Sequence, residues 1–360
     1  METCPSYASY GIVREIHLNG DISAAVKLVW DATGDVGWLN ATGWPLLRAV
    51  AAFYVSRLAH DNPGALNGST APLHLLDVCG PDEEHDHVSD SVYTNAVAAL
   101  ALLAARDAAL ALGLTPDPVW ADAAGRIALP TNATPPGGGA FNNSGAYHPE
   151  FAGYAGAVVK QADVVLLGFP LGLPMPPSTR ANDLEVYAAR TDPGGPAMTW
   201  SMYSIGFCEL GPAYEGAAAA FFNKSFASNV QAPFGVWREG GRGGGCPNFL
   251  TGAGGFLQAL LHGYTGMRVN STALAFTNPR VPEGATAVTL RGVAYQGSRL
   301  SVAIGADALT VGVTGVAPSP SGGTAAPPAL QLIDAAGAAH PLAAGKPVAL
   351  PLQSFAVTRA

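Results

Sequence analysis

The sequence predicts a mainly α-helical chain that ends in a small all-β region. Apolar residues recur at helical spacing over residues 1 to about 272, whereas apolar and polar residues alternate as in strands after about residue 283. No repeat of roughly 20 to 50 residues is evident, which disfavours a stacked-repeat solenoid. We therefore expect a helical domain over residues 1–275 and a β domain over residues 283–360.

The helical part contains six segments with helix-length apolar patterns, several of them rich in alanine, which suits close packing. They are Ile22–Asp31, Trp44–Ala59, Val92–Leu112, Trp120–Ile127, Thr199–Phe207 and Tyr214–Phe226. Two stretches rich in glycine, proline or asparagine, Leu129–Ala146 and Gly172–Arg180, are predicted loops. Long loops in a compact domain are often functional, but compositional bias explains these two equally well.

The C-terminal part contains six strand candidates. They are Ala287–Val293, Arg299–Ile304, Leu309–Val313, Ala329–Ile333, Pro347–Leu350 and Ser354–Val357. Val316–Pro328 is rich in proline, serine and glycine and is predicted to be a loop between two of them.

Composition excludes several classes of function. The net charge is −8 and no run of lysine or arginine occurs, so neither nucleic acid nor an anionic membrane is an expected partner. The apolar tract Ala96–Ala105 stops at a charged pair and is too short to span a bilayer. The four cysteines, Cys4, Cys79, Cys208 and Cys246, lack metal-ligand spacing, and we expect buried free thiols.

Asparagine occurs in the pattern Asn-x-Ser/Thr unusually often. Six of the fourteen asparagines begin this pattern, where about one or two would be expected by chance. They are Asn40, Asn67, Asn132, Asn142, Asn223 and Asn270. One interpretation is glycosylation in a secretory compartment, and the other is coincidence on a surface that contains serine and threonine. The sequence leaves the compartment and the oligomeric state open.

A cluster of acidic residues and histidines follows the turn Gly80-Pro81. A Gly-Pro turn holds its neighbours rigidly, and crowded carboxylates raise the pKa of one of them, so Glu83 is a candidate general acid. Two other interpretations stay open. The cluster could be a solvated loop or could balance a helix dipole, and His85, Asp86 and His87 could bind a metal ion.

A second carboxylate, Glu239, follows Trp237 and precedes a run of glycines. Glycines allow a close backbone approach to a ligand, and apolar sugar faces stack on aromatic rings. Lys160 and Gln161 add a cation and an amide that could bind hydroxyl groups. A flexible surface loop and an ordinary helix edge are the simpler explanations of these two features. Two carboxylates from separate loops would suit glycosidic cleavage, in which one protonates the leaving oxygen and one activates water.

The chain resembles glycoside hydrolase family 65 through blocks that keep one order along almost its whole length. The blocks are residues 15–22, the Gly80–Asn95 segment, residues 147–151, Lys160–Leu167, residues 182–185, residues 195–202 and the Pro233–Arg268 segment. The resemblance implies an (α/α)6 barrel, here partial, with inversion at the anomeric carbon of an α-glucoside. It implies no metal and no other cofactor.

The resemblance also assigns roles to residues of this sequence. It implies that Glu83 is the general acid and that Glu239 is the base of the hydrolytic branch. It implies that Lys160 and Gln161 hold the glucose, while Trp237 is a further candidate substrate-binding residue. The expected substrate is an α-glucoside or glycosylated hydroxylysine, most like the branch that acts on a glucosyl-galactosyl unit. A phosphorylase, an acid-trehalase-like enzyme and an inactive glycan-binding remnant are the alternatives.

The sequence departs from the family pattern in two ways. It starts where family members are already inside the barrel, and Glu84 stands where an aromatic residue is typical. We therefore expect an incomplete barrel, with exposed apolar faces on its first and last helices. We also expect little turnover from this chain alone.

Overall fold

The computed structural model describes residues 13–138, 142–161, 163–241, 244–324 and 326–360. These residues form two compact units. Unit 1 comprises the residues up to Lys27 together with Asn40–Pro196, and unit 2 comprises Leu28–Leu39 together with Ala197–Ala360. The division predicted from the sequence, at residues 275–283, falls inside unit 2.

Helices account for most of the regular structure of unit 1. Its helices are the first part of α1 (His17–Thr33), then α3 (Trp44–Asp61), α4 (Val92–Ala111), α5 (Pro118–Arg126) and α6 (Pro177–Ala188). A short 3-10 helix, Asp163–Leu167, precedes α6. The second predicted loop is therefore wrong from Pro177 onward, where a proline at the first turn begins a helix.

Helix α4 forms the core of unit 1. Fourteen of its twenty residues are buried, and the Ser91 side chain caps it by accepting a hydrogen bond from the amide of Thr94. Its many alanines allow close approach, and α3 and α5 pack against it. Gly20 of α1 lies so close that an added Cβ would stand 2.6 Å from a methyl group of Val97.

Helix α4 is also a candidate membrane span. Val92–Ala111 is long and apolar enough to cross a membrane by length and composition, and the predicted limit at Ala105 is therefore too short. However, 67% of its most apolar window is buried inside the protein, and a core helix passes the same test. This finding is weak evidence for a membrane span.

Unit 2 begins with helices and continues into two antiparallel sheets. Its helices are α2 (Val36–Trp38), α7 (Met198–Glu209), α8 (Glu215–Lys224) and α9 (Leu250–Gln258). Helix α9 contains three glycines that disfavour a helix. However, Gly252 packs on Trp237, and Gly255 would place a Cβ 2.3 Å from the hydroxyl of Ser201. Because these glycines carry no side chain, α9 packs closely against its neighbours.

The strands of unit 2 confirm the predicted β region and extend it. They are β1 (Val230–Gln231), β2 (Val236–Trp237), β3 (Met267–Val269), β4 (Leu274–Phe276), β5 (Ala287–Tyr295), β6 (Ser298–Gly305), β7 (Ala308–Val316), β8 (Leu330–Ile333), β9 (Ala339–Leu342), β10 (Val348–Pro351) and β11 (Phe355–Arg359). Strands β1 and β2 form a small hairpin. The larger sheets have the orders β10-β7-β6-β5 and β3-β4-β11-β8-β9.

A common apolar cluster holds the strands β3 to β9 and β11 together. Alternate residues of β6 are buried, as the period of a strand requires. Phe276 and Phe355 stack across the paired strands β4 and β11 with their ring centroids 4.5 Å apart. The β region therefore begins at Met267, some residues before the predicted start.

Three of the four cysteines lie in the described part of the chain, and none of these three is in a disulfide. Cys79 and Cys208 are buried, and burial raises the pKa of the Cys79 thiol to about 12 and that of Cys208 to about 11. The expectation of burial is wrong for Cys246, which is exposed. Cys4 lies outside the described residues.

Candidate active site

The loop that carries Glu83 is held in place by the buried side chain of the preceding residue, Asp82. Asp82 is buried, and its Oδ2 lies 2.7 Å from Nδ1 of His85. Its Oδ1 accepts hydrogen bonds at 3.3 Å from the amides of Glu84 and Lys160. The carboxylate of Glu83 projects outward, with 58% of its side chain exposed. The buried aspartate thus fixes the backbone from which the exposed glutamate extends.

Lys160 and Gln161 lie directly beside this loop. Nζ of Lys160 donates to Oε2 of Glu83 at 2.8 Å. Nε2 of Gln161 donates to the carbonyl oxygen of Pro81. These contacts span 77 and 80 positions of sequence, so they are products of the fold and not of local chain geometry. They bring one carboxylate, one ammonium group and one amide together in unit 1.

Two buried carboxyl groups lie beneath the loop. Oδ2 of Asp163 accepts from the amide of Asp82 at 3.1 Å, and the amide of Asp163 donates to Oε1 of Glu150 at 2.9 Å. Gly80 makes this approach possible, because a Cβ there would stand 2.3 Å from Oδ2 of Asp163. Asp163 and Glu150 are 1% and 2% exposed, so neither carboxyl group is solvated.

Burial dominates the electrostatics of these two groups. Loss of solvation, with the nearby charge of Asp82, raises the pKa of Glu150 to about 8. Loss of solvation, with the charges of Glu150 and Asp82, raises the pKa of Asp163 well above its ordinary value. The acidic cluster after Gly80-Pro81 was named from the sequence, but the raised pKa values lie on these two buried partners. The sequence analysis included Glu150 and Asp163 only within two of the family blocks.

Glu15 is a third carboxyl group with a raised pKa in this part of unit 1. Partial burial raises it first, and the charges of Glu83 and Asp86 add to the effect, while Lys160 opposes it. The effects of Glu83, Asp86 and Lys160 on its pKa indicate that Glu15 lies in the same electrostatic environment as Glu83. Sequence reasoning named Glu15 only within a family block.

The metal interpretation of His85, Asp86 and His87 finds no support in the geometry. His85 bonds to Asp82, Asp86 pairs with Arg14 at 3.3 Å, and Nδ1 of His87 lies 2.6 Å from Asp77. Across the described part of the chain, no group of three or more acidic, histidine or cysteine residues could hold a metal ion. The helix-dipole interpretation is also wrong, because the first turn of α4 contains no acidic residue.

Glu239 lies in unit 2, in a turn that is held at several points. Its amide donates to the carbonyl oxygen of Cys246 at 3.1 Å, and its Oε2 accepts from the amide of Cys246 at 3.1 Å. Its carbonyl oxygen accepts from the amide of Ala197 and from Nδ2 of Asn229. Gly245, at φ +66°, allows the return of the chain, because a Cβ there would stand 2.7 Å from Cβ of Glu239. Arg242 and Gly243 of the glycine run lie outside the described residues.

Trp237 is less available than a sugar-stacking platform at a rim would be. It lies in β2, is half-buried, and packs against Phe256 of α9 with a centroid distance of 5.5 Å. Its indole nitrogen is buried and has no hydrogen-bond partner in the structure. The exposed aromatic residue of the same hairpin is Phe234, 88% of which is accessible. Substrate binding by Trp237 stays a prediction.

One segment of the chain matches the model of a known protein family. Residues 6–123 match the glycosyl hydrolase family 65 central catalytic domain. Glu83, its loop and helix α4 fall inside the matched segment.

Similar proteins match more of the chain than this segment does. The chain is 43% identical over 302 residues to protein-glucosylgalactosylhydroxylysine glucosidase of Danio rerio, and the match covers 83% of the chain and 43% of that protein. It is 37% identical over 361 residues to the protein of that description in Gallus gallus, covering 100% of the chain and 47% of that protein. It is 32% identical over 283 residues to kojibiose hydrolase of Mucilaginibacter mallensis, covering 78% of the chain and 38% of that protein.

A solved structure shares the fold. It is described as a candidate kojibiose phosphorylase from human microbiome and matches with a TM-score of 0.65 at 13% identity. The match covers 93% of this chain and 49% of that one. The chain thus spans about half the length, or less, of the known proteins that it matches.

Proposed function

We propose that the chain contributes to an inverting α-glucoside hydrolase that releases glucose from glucosyl-galactosyl-hydroxylysine. The relatives at 37% and 43% identity carry a name that describes this reaction. The kojibiose hydrolase relative supports hydrolysis of an α-glucoside more generally. These relatives are about twice as long as this chain, and we propose that this chain carries part of the same activity.

In this proposal, Glu83 protonates the oxygen of the leaving galactose. The observation that carries the assignment is the contact at 2.8 Å between Lys160 and Glu83, on a backbone fixed by buried Asp82. A positioned acid must hold its carboxyl group in one direction, and the Lys160 ammonium group provides that constraint. Gln161, bonded to Pro81, holds the same loop and contributes an amide to the glucose subsite.

Glu239 is the proposed base that removes a proton from the attacking water. Inversion requires the two carboxyl groups to be about 6.5–9.5 Å apart, so that water fits between one of them and the sugar. The double contact of Glu239 with Cys246 fixes this turn, as a positioned base needs. We further propose that Trp237 supports the glucose through the part of its half-buried ring that stays accessible.

We propose that the helices form part of an (α/α)6 barrel. Large apolar side chains on α1 and α9 are exposed, among them Leu18, Ile22, Leu250 and Leu257. Such faces normally pack against further structure. Their exposure supports a barrel of which this chain supplies a part.

The test is glucose release from glucosyl-galactosyl-hydroxylysine, measured with and without phosphate. In a protein that contains all parts of the barrel, Glu83→Gln should reduce kcat by about 10²- to 10⁴-fold, the typical contribution of a general acid. A substrate with an acidic leaving group should lose much less, because it departs without protonation. The matched control is Glu84→Gln, which makes the same charge change at the next, exposed position.

Two results would contradict the proposal. Equal losses for Glu83→Gln on good and poor leaving groups would exclude general acid catalysis by Glu83. A strict requirement for phosphate, with release of glucose 1-phosphate, would favour the phosphorylase alternative, which the shared fold with the microbiome structure permits. Turnover of trehalose in preference to the hydroxylysine glycoside would favour the trehalase alternative.

A second candidate function is sugar binding without catalysis. Glu83 is more than half exposed, whereas catalytic acids work best where water is excluded. Binding of a glucosyl-galactosyl ligand without any glucose release by the chain would support this candidate. Turnover that Glu83→Gln abolishes would exclude it.

A further inference from the structure

The six Asn-x-Ser/Thr sequences differ from the other asparagines in exposure. All fourteen asparagines lie among the described residues, and all six that begin this pattern are exposed. Of the eight others only Asn248 is exposed, and Asn95, Asn182 and Asn229 are buried. An acceptor asparagine must be exposed, and all six meet this requirement. The local geometry of each asparagine then selects among the six.

Asn270 lies in the short turn between β3 and β4, in a geometry that suits a modified side chain. Its Oδ1 accepts hydrogen bonds from the amide of Thr272 at 2.9 Å, from the Thr272 hydroxyl at 2.8 Å and from the amide of Ala273 at 2.9 Å. The carbonyl half of the amide therefore organises the turn. A substituent on Nδ2 would keep that carbonyl and its three donors, so the fold tolerates modification here.

Asn67 occupies a comparable position in unit 1. It lies in a turn after α3, where its backbone N–H donates to the carbonyl oxygen of Gly64. Arg126 anchors this turn through a hydrogen bond to Ala65 at 2.8 Å. The backbone is thus held in place while the asparagine side chain is exposed. The other four have less suitable surroundings, because Asn40 and Asn223 lie in helical segments, Nδ2 of Asn142 donates to Glu185, and Asn132 bonds to Tyr147.

We propose that Asn67 and Asn270 are acceptor sites for N-linked oligosaccharides. In the transfer, Nδ2 attacks the anomeric carbon of a sugar whose leaving group is a lipid-linked diphosphate. The C–N bond forms as the C–O bond to the diphosphate breaks, and Nδ2 loses one proton to a base. The step involves no oxidation or reduction. The chain would thus pass through a compartment that contains such donors, whatever glycoside it acts on.

The experiment is peptide mapping of the protein isolated from its own cells. Digestion with a peptide N-glycanase converts a glycosylated asparagine to aspartate, and mass spectrometry locates the change. Aspartate is expected at positions 67 and 270 after enzyme treatment and not before. The untreated sample is the control for spontaneous deamidation, to which Asn67 is prone because Gly68 follows it. Asn248 is the control for the acceptor pattern, because it is exposed but is followed by Phe249 and Leu250. Unmodified asparagine at both positions in the native protein would overturn the proposal.

Variants expressed in the same cells separate modification from structure. Thr272→Ser keeps the acceptor pattern and the hydroxyl group, and it should keep the glycan at Asn270. Thr272→Ala removes both and should abolish modification. Asn270→Asp keeps the Oδ1 acceptor of the turn but lacks the nitrogen, so it should fold and carry no glycan. Modification at position 270 in Thr272→Ala would contradict the assignment, as would its absence in Thr272→Ser.

Discussion

Replacement of Glu150 by glutamine should change how the stability of unit 1 depends on pH. The folded pKa of Glu150 is about 8, whereas its ordinary value is 4.5. The folded state therefore holds a proton that the unfolded chain has released between these two values. The stability that this proton represents is fully present below about pH 4.5 and is lost as the pH rises through about 8. Glutamine cannot ionise, so this loss should disappear.

The magnitude follows from the width of that window. The proton on Glu150 gives a slope of about −1.4 kcal/mol per pH unit, and over the window the loss is on the order of 5 kcal/mol. This is a large share of a typical folding free energy of about 5–15 kcal/mol. Because Asp163 contacts Glu150 through its amide and is itself shifted upward, the two carboxyl groups titrate as a pair. Glu150→Gln should therefore remove the contribution of Glu150 and leave that of Asp163.

Hydrogen exchange of α4 provides the assay, because this buried helix reports on opening of unit 1. Opening free energies of peptides from Val92–Ala111 should fall from pH 5 to pH 8 in the wild type and should fall less steeply in Glu150→Gln, where the contribution of Asp163 remains. The control, Glu84→Gln, makes the same substitution at an exposed position and should follow the wild type. Parallel curves for the wild type and Glu150→Gln would refute the argument that Glu150 is protonated in the fold.

Three further predictions concern close approaches and the proposed base. Gly80→Ala places a Cβ 2.3 Å from Asp163 and should cost about 1–3 kcal/mol in thermal unfolding, whereas Gly125→Ala in α5, where the space is open, should be neutral or stabilising; equal effects would contradict the tight contact. The Cβ of Gly266→Ala would stand 1.8 Å from the carbonyl oxygen of Thr277, and the backbone at this position has φ +66°. Circular dichroism should therefore show a destabilised β region for Gly266→Ala and not for Gly315→Ala, where the space is open. Glu239→Gln should slow cleavage of good and poor leaving groups alike, and azide should partly restore the rate because an anion needs no deprotonation; equal rates with and without azide would count against the role of a base.

Regular elements with uninterrupted apolar patterns could be predicted from the sequence. Helix α4 is an example, since its alanines and leucines run from the Ser91 cap without a break. Helix α9 was missed because its glycines oppose a helix locally, and only packing against Trp237 and Ser201 compensates. Strand β9 was missed because it is short, contains Pro341 and lies at the edge of its sheet, where proline is tolerated.

The candidate site was predictable where the residue type itself carries the chemistry. Glu83 and Lys160 were named from the sequence, and the structure brings them to 2.8 Å. The buried pair Glu150 and Asp163 was not named as part of the site, because a carboxyl group shows its burial only once distant segments have met. Asp82 was one member of the acidic cluster that follows Gly80-Pro81, and its contact with Asp163, 81 positions away, makes it an anchor of the loop.

The anomeric form of the first glucose released tests the central proposal most directly. Proton NMR during hydrolysis of glucosyl-galactosyl-hydroxylysine by a protein that contains this chain should show β-glucose first, with α-glucose appearing later by mutarotation, because inversion of an α-glucoside gives the β form. Glu83→Gln should prevent this signal, and Glu84→Gln should preserve it. Initial release of α-glucose, or a signal that persists in Glu83→Gln, would contradict the assignment of an inverting hydrolase with Glu83 as its acid.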